Sequence, residues 1–411
     1  MKQISAVIIG AGGRGSGYAN FATAHPERFK IVGVAEPRDY YRNRMVEKYS
    51  IPDENIFTDW KQLAARGKIA DVAIITTLDK MHAAPAIAFA ELKYNILLEK
   101  PMAPSENECR AIVEAVRKNK IFFAVCHVLR YTTYTNILKK IIDSGRIGSV
   151  VNIQHIEPVG YWHQAHSYIR GNCGNEEESS PMLLAKSCHD IDWISYIMGG
   201  KCEAVSSFGS LKHFRKEEKP DGAGNRCTEC KIESTCPYSS IKIYIGRVKK
   251  GQIDWPVNVL TTDLTIKGIM KAIKEGPYGR CVYACDNDVV DNQVVNMLFD
   301  DNRTASFTMT AFCEKERRKT HIFGTRGEIY GDSTQIRVFD FLTDKSEIID
   351  TSASAQGGHG GGDNGLIDSF LSAIEEGDLS KIKSGPDETL QSHLMVFAAE
   401  RARKNNTVEF L

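Results

Sequence analysis

The sequence predicts an α/β half followed by an α+β half: a doubly wound parallel sheet at the N-terminus, then an open, mainly antiparallel sheet. Three observations predict it. Short apolar runs at 5–9, 31–35, 72–76, 95–98 and 121–126 alternate with amphipathic stretches near 16–24, 38–49, 59–66, 81–93 and 106–119. Near-continuous apolar strands suit a parallel sheet covered on both faces. After about residue 130 the rhythm changes to longer strand-like segments at 150–157, 204–211, 289–299, 304–312, 319–323 and 335–341. The third observation is a glycine-rich turn, Gly10-Ala11-Gly12-Gly13-Arg14-Gly15, between the first apolar run and the first helical stretch.

That turn carries a chemical meaning. Gly10 permits the tight turn, Gly12 lets the backbone approach a pyrophosphate, and Gly15 lets helix and strand pack closely. The helix N-terminus behind it presents free N–H groups and a positive dipole end to phosphate. The second run ends on Glu36, placed to accept hydrogen bonds from a ribose. The expected N-terminal unit is therefore a Rossmann domain over 1–128, holding NAD in preference to NADP, with Arg38 nearby as the residue that can pair a 2′-phosphate. Ligands of such sheets sit at the carboxyl ends of the strands. Gly13, Arg14, Thr76, Thr77, His82, Glu99, Lys100, His127 and Arg130 join Gly10, Gly12, Gly15, Glu36 and Arg38 as candidate cofactor contacts.

Further elements follow in order. Ser105 and Glu108 form a capping box, which starts a helix after Pro104. A helix over 135–143 closes at Gly145, and Asp300-Asp301-Asn302 reads as a hairpin turn. Helices near 183–198, 364–375 and 388–403 are expected to cover one face of the second sheet. Residues 129–411 form one α+β unit for substrate binding and oligomerisation, with excursions near 158–181 and 212–280. The strands 294–299 and 305–311 keep apolar residues on both parities, so the uncovered face is expected to meet another subunit in a homodimer or homotetramer.

Composition bounds the function. Lys+Arg and Asp+Glu balance at 52 each, so no electrostatic case for nucleic acid or an anionic membrane arises. The start MKQISAVIIG reads as a core strand rather than a secretory leader, and no apolar run approaches a membrane span. The eleven cysteines fit reduced thiols in the cytoplasm better than a disulfide framework.

Several motifs together resemble the glucose–fructose oxidoreductase, inositol dehydrogenase and MocA family. They are the glycine turn, Glu99-Lys100-Pro101 at a strand end, Arg130-Tyr131, the phrase SGRIGSVVNI, His189-Asp190-Ile191-Asp192 opening an apolar helix, and Phe323-Gly324-Thr325-Arg326-Gly327. The resemblance spans nearly the whole chain. It implies NAD(P)-dependent hydride transfer at a secondary alcohol or ketone of a sugar, glycoside or cyclitol. It implies that Lys100 touches substrate and nicotinamide and that His189 acts in proton transfer. One departure stands out: the family's aspartate position holds Ala185, with Lys186 beside it. Lys186 is therefore a third candidate catalytic group.

The chemistry supports these roles independently. Removing hydride from a carbinol requires a base for its proton, and His titrates near neutrality. Lys100, Lys186 and His189 around one carbinol are expected to lower each other's pKa. Tyr161, Trp162, His163, His166, Tyr168 and Arg170 mix aromatic and polar groups as a sugar site does, and His359 sits in a glycine run that lets backbone come close. Cys227, Cys230 and Cys236, with Cys281 or Cys285 as a fourth ligand, have spacing suited to one structural zinc. Two other functions stay open: a glycoside-cleaving enzyme that oxidises, eliminates and returns the hydride, suggested by Gly358-His359-Gly360-Gly361-Gly362-Asp363, and a non-catalytic dinucleotide-binding sensor.

Overall fold

The computed structural model describes residues 3–314, 317–352 and 358–411. Its first sheet has six parallel strands, β1 (Ile4–Ile9), β2 (Phe29–Ala35), β3 (Ile56–Phe57), β4 (Val72–Ile75), β5 (Asn95–Leu98) and β6 (Phe123–Val125), in the order β3-β2-β1-β4-β5-β6. Apolar residues of alternate parity feed two cores. Ile8, Ile74 and Leu97 face one layer of helices, and Val7, Ile75 and Leu98 face the other. The strand order reverses between β1 and β4, which opens a crevice at their carboxyl ends. β3 is two residues long and too short to show an apolar pattern in the sequence.

The second sheet comprises β7 (Val150–Pro158), β8 (Cys202–Ser210), β9 (Asn292–Phe299), β10 (Thr304–Thr310), β11 (Lys319–Gly324), β12 (Gly327–Gly331), β13 (Gln335–Asp340), β14 (Lys345–Asp350) and β15 (Val408–Phe410). Its order is β14-β13-β12-β11-β7-β10-β9-β8-β15. β7 and β10 pair in parallel, and the other described pairs are antiparallel. Asp301 and Asn302, both at positive φ, turn β9 into β10; Asn and Asp tolerate that conformation better than most residues. The inward parity of β9 and β10, Val295, Met297, Phe299, Phe307 and Met309, is fully buried. On the outward face Phe208, Val294, Thr308 and Ile156 stand side by side in register across four strands.

Two expectations about helices change. The helix Gly362–Glu376 does not cover the second sheet. Its Leu366, Ile367, Phe370 and Leu371 share a core with Tyr18, Phe21 and Val128 of the first unit, and that core takes its apolar face. The helix expected over 183–198 is broken into Met182–Ala185 and Cys188–Met198. The two excursions also fold onto each other. Ala165 and Ile169 share a satellite core with Phe214, Tyr244, Val257 and Ile273.

Candidate active site between the two sheets

The glycine turn has the expected constraints. Gly10 has φ of +90°, and a Cβ at Gly15 would lie 2.1 Å from the Gly10 carbonyl oxygen. Gly12 caps the helix Gly13–Ala24 without a side-chain hydrogen bond, and a Cβ on Gly13 would meet nothing within 4 Å. The first-turn N–H groups of that helix are the donors an anion site requires. Glu36 is buried and accepts from the Ala11 and Arg38 backbone N–H groups at 2.8 and 3.0 Å. Arg38 grips the same carboxylate through Nε at 2.7 Å and Nη2 at 3.0 Å. Burial pushes the Glu36 pKa up, but these hydrogen bonds outweigh it and hold Glu36 ionised below its ordinary range. These features fit a dinucleotide, with its pyrophosphate on the turn and its adenosine ribose at Glu36.

Other expected cofactor contacts are committed elsewhere. Arg14 reaches Glu99 at 2.7 Å and Asp363 through a bidentate pair at 2.9 and 3.0 Å. Its guanidinium ties the glycine turn to the start of the helix Gly362–Glu376. Arg130 is buried in a bidentate pair with Asp192, at 2.7 Å through both Nε and Nη2. Thr76 Oγ1 donates to the Gly10 carbonyl at 2.6 Å, and Thr77 Oγ1 to the Met81 carbonyl at 3.0 Å. Both ring nitrogens of His82 face backbone carbonyls, Pro101 at 2.7 Å and Thr77 at 3.1 Å, which leaves neither for a cofactor.

Lys100 and His189 come together across the two units. The Lys100 ammonium donates to the Ala185 carbonyl at 2.6 Å. That carbonyl lies at the break between the helices Met182–Ala185 and Cys188–Met198. At the position where the family pattern has an aspartate, the backbone carbonyl of Ala185 is what Lys100 meets. Burial works against the Lys100 charge, but Cys188, Glu99 and Asp79 raise its pKa above the ordinary lysine value. The Cys188 thiol is itself pushed up to about 12 by burial, so Glu99 and Asp79 are the anions that count at neutral pH. The expectation that Lys100 is lowered into a base is therefore corrected: neighbouring carboxylates keep it cationic.

His189 behaves oppositely. It is 6% exposed, and burial, then Lys100, His127 and His359, hold its pKa well below the ordinary imidazole value. Its Nδ1 has no partner among the described residues. The His127 ring lies 5.7 Å from it and the His359 ring 6.0 Å. His127 is wholly buried, with neither ring nitrogen hydrogen-bonded among the described residues, and burial lowers it to about 4. His359 is anchored by Asp363 at 3.0 Å.

A charged group missed in the sequence supports the same helix. Arg318 pairs Asp190 at 2.5 Å and Glu157 at 2.9 Å. Lys186 takes the other Glu157 oxygen at 3.2 Å, so its charge is compensated inside the protein. His155 bridges Asp190 at 3.1 Å and Thr320 at 2.7 Å and stacks on Trp193 at 4.8 Å. Glu157 at the end of an apolar strand was the available signal. A cavity of about 480 Å³ opens beside this cluster, lined among others by Trp193, Tyr134, Arg318, Thr334 and His359.

The aromatic segment is not a loop. Tyr161–His163 runs directly into the wide helical turn Gln164–Arg170. His163 and Trp162 pack on Trp255, with ring centroids 4.9 and 5.4 Å apart. His166 is stacked on Tyr278 and bonded to Tyr244 at 2.9 Å, and Tyr161 faces Tyr238. Arg170 donates to the carbonyls of Arg280 and Tyr238 at 2.7 and 2.8 Å. These side chains bury against the second excursion, whose Ile243, Tyr244, Val257, Ile269 and Ile273 share one core with Ala165 and Ile169. Tyr168 differs: Glu157, Asp79 and Cys188 act on its phenol, which places it at the Lys100 cluster.

Cys227, Cys230, Cys236 and Cys281 do border one small cavity, together with Arg170. Cys227 accepts from Arg170 Nη2 at 3.5 Å and from the Ser240 N–H at 3.4 Å, and Cys230 from the Gly224 N–H at 3.4 Å. Among the described residues no group of three or more His, Cys, Asp or Glu side chains is placed to hold a metal ion. The zinc expectation is therefore unsupported; a guanidinium, already positive, stands against the sulfurs.

Comparison with known proteins agrees with this architecture. The model for an oxidoreductase family with an NAD-binding Rossmann fold, GFO_IDH_MocA, matches residues 4–127, and that for its C-terminal alpha/beta domain matches 139–410. The chain is 22% identical to the oxidoreductase YteT of Bacillus subtilis over 84% of this chain and 82% of that one. It is 27% identical to the 2,7-anhydro-N-acetylneuraminate hydratase of Mediterraneibacter gnavus over 51% of this chain and 53% of that one. It is 26% identical to the levoglucosan dehydrogenase of Pseudarthrobacter phenanthrenivorans over 48% and 52%. A solved levoglucosan dehydrogenase in complex with NADH superposes with a TM-score of 0.73 at 17% identity, covering 100% of this chain and 99% of that one.

Proposed function

The chain belongs to the GFO_IDH_MocA oxidoreductase family and is an NAD-binding oxidoreductase, and from that premise we propose that it transfers hydride between NAD and a secondary alcohol of a sugar, glycoside or cyclitol. The observation that carries this reading is the meeting of Lys100, whose ammonium donates to the Ala185 carbonyl at the break before the helix Cys188–Met198, with the buried, neutral His189 on that helix. NAD, held by the glycine turn and Glu36, supplies the hydride acceptor. His189 takes the hydroxyl proton, and a neutral imidazole is the form that can do so. The Lys100 ammonium donates to the same oxygen and steadies the charge it gains as its proton leaves. Lys186 and Arg318 hold Glu157, and Arg318 holds Asp190, behind His189, so neither of these two carboxylates competes for the reacting groups. The cavity beside His359 receives the remainder of the substrate.

Incubation of the protein with NAD and a panel of cyclitols, anhydrosugars and aryl glycosides tests this. Accumulating NADH is the expected result; none with any alcohol overturns it. A second reading is favoured by His359, whose ring stands 6.0 Å from that of His189, and by the hydratase relative. In that reading the oxidised sugar eliminates its aglycone and the hydride returns, so aglycone release on catalytic NAD without net NADH identifies it.

The reading includes a homodimer or homotetramer built on the outward face of the second sheet, where Phe208 is 58%, Val294 40% and Ile348 65% exposed. Light scattering giving a mass near 45.8 kDa, one chain, would refute it. Among the described residues no helix is long and apolar enough to cross a membrane.

A further inference from the structure

Lys100 is a flexible side chain, and its reach to a reacting oxygen depends on where its backbone is held. The two residues after it carry two polar backbone groups of note. Pro101 has a carbonyl and no N–H, and Met102 has an N–H. Each of the two is taken by the ring of a wholly buried histidine from a different part of the chain. His82, at the start of the helix Ala83–Glu91, faces the Pro101 carbonyl through Nδ1 at 2.7 Å. His393, in the helix Pro386–Asn405, accepts from the Met102 N–H through Nε2 at 2.9 Å. Its Nδ1 faces the Thr389 carbonyl at 2.9 Å. A carbonyl only accepts and the Met102 amide only donates, so His393 carries its proton on Nδ1 and is neutral. The Lys100 N–H itself donates to Glu99 at 3.1 Å. Three successive residues are thus fixed by side chains.

We propose that His82 and His393 are positioning residues that clamp the backbone of Pro101 and Met102 from opposite sides and so aim the Lys100 ammonium. Among the described residues, no hydrogen bond joins His82 or His393 to Lys100 Nζ or to the glycine turn. His393 also packs edge-on against His127, centroids 5.6 Å apart, and His127 against His189, so the same histidine backs both reacting groups. The helix Pro386–Asn405, remote from Lys100 in sequence, thereby becomes part of the active-site scaffold. Errors of an ångström in a reacting group are costly, roughly 10- to 100-fold in rate, which is what such a clamp prevents.

Isosteric variants test the clamp. Gln in place of His393 puts an acceptor oxygen where Nε2 stands, and Asn in place of His82 puts an N–H where Nδ1 stands; Phe keeps ring volume and removes both functions. The full-length, NAD-saturated protein is labelled with trace acetic anhydride across pH, and Lys100 acetylation is read by mass spectrometry. His393→Phe and His82→Phe should raise Lys100 labelling and shift its pH profile, while His393→Gln and His82→Asn stay near wild type and NAD affinity is unchanged in all four. Should a Phe variant not fold, His393→Asn, too short to reach the Met102 amide, replaces it. Unchanged Lys100 labelling in the folded variants, or Gln and Asn variants that label like Phe, overturns the clamp. The effect on turnover, roughly 10- to 100-fold in kcat with little change in KM, rests on the reaction proposed above. The labelling does not, so failure on every sugar refutes that reaction and leaves the clamp standing.

Discussion

The two walls of the site are held in different ways. On the parallel-sheet side, backbone does most of the work: the glycine turn, the Ala11 N–H on Glu36, and the Pro101 and Met102 groups under His82 and His393. On the antiparallel side, buried charges hold one another: Arg318 with Asp190 and Glu157, Lys186 with Glu157, Arg130 with Asp192. Backbone-held groups depend on the path of the chain and on the hydrogen-bonding function of the side chains that grip it. Charge-held groups tolerate changes of shape but not the loss of one partner, because the remaining charge is left in low dielectric. The neutral histidines 127 and 189 sit where the two walls meet.

The largest expected effect breaks the charge-held wall. Arg318→Leu leaves Asp190 and Glu157 short of a cation and should cost about 3–5 kcal/mol of stability, read by denaturant unfolding. A loss no larger than that of an exposed arginine would show that the cluster does not hold the wall. Next, His189→Ala and Lys100→Ala should each lower turnover by roughly 10²-fold or more with NAD affinity intact, and Lys186→Ala by less, because Glu157 keeps Arg318. A Lys186 effect equal to that of Lys100 would move Lys186 into the reacting group.

The histidines give a pH signature. Burial lowers His127 to about 4 and His166 and His393 to about 3, whereas an unfolded imidazole titrates near 6.5. The unfolded chain therefore binds more protons below that value. Stability is full above about pH 6.5 and is lost as pH falls toward about 4 and then 3. Urea midpoints flat between pH 7 and 4 would contradict buried neutral histidines. The acid limb of kcat/KM should likewise lie below the ordinary imidazole pKa, because His189 is lowered.

The backbone-held wall is probed more gently. Gly15→Ala should weaken NAD binding by forcing the turn away from the Gly10 carbonyl. Glu36→Gln should narrow the preference for NAD over NADP, because the buried carboxylate is the group that repels a 2′-phosphate; equal NADP binding in the wild type would take that role from Glu36 and give Arg38 the adenosine end.

The same contrast explains what could be read from the sequence. Glycine turn, Glu36, Glu99 and Lys100 stand at the ends of short strands, where a local pattern marks them, and the alternation of the first 125 residues matches the six-stranded sheet apart from β3. Arg318 meets Asp190 across 128 positions and His393 meets Met102 across 291, and no local pattern announces such partners. The aromatic run 161–170 looked like a sugar loop because its composition is that of a binding site; its partners, Trp255, Tyr244 and Tyr278, lie far along the chain and turn it into core. The helix break after Ala185 was hidden by unbroken apolar periodicity.

The most direct test of the account is single-turnover transfer of deuterium. Protein saturated with NAD is mixed with polyols, anhydrosugars and glycosides deuterated at their carbinol carbons, and the cofactor is recovered. The account predicts deuterium on the nicotinamide of the recovered NADH with wild-type protein and its loss with Lys100→Ala and His189→Ala at unchanged NAD occupancy. NAD-saturated wild-type protein that leaves the cofactor unlabelled across the panel, or variants that label it at the wild-type rate, would contradict it.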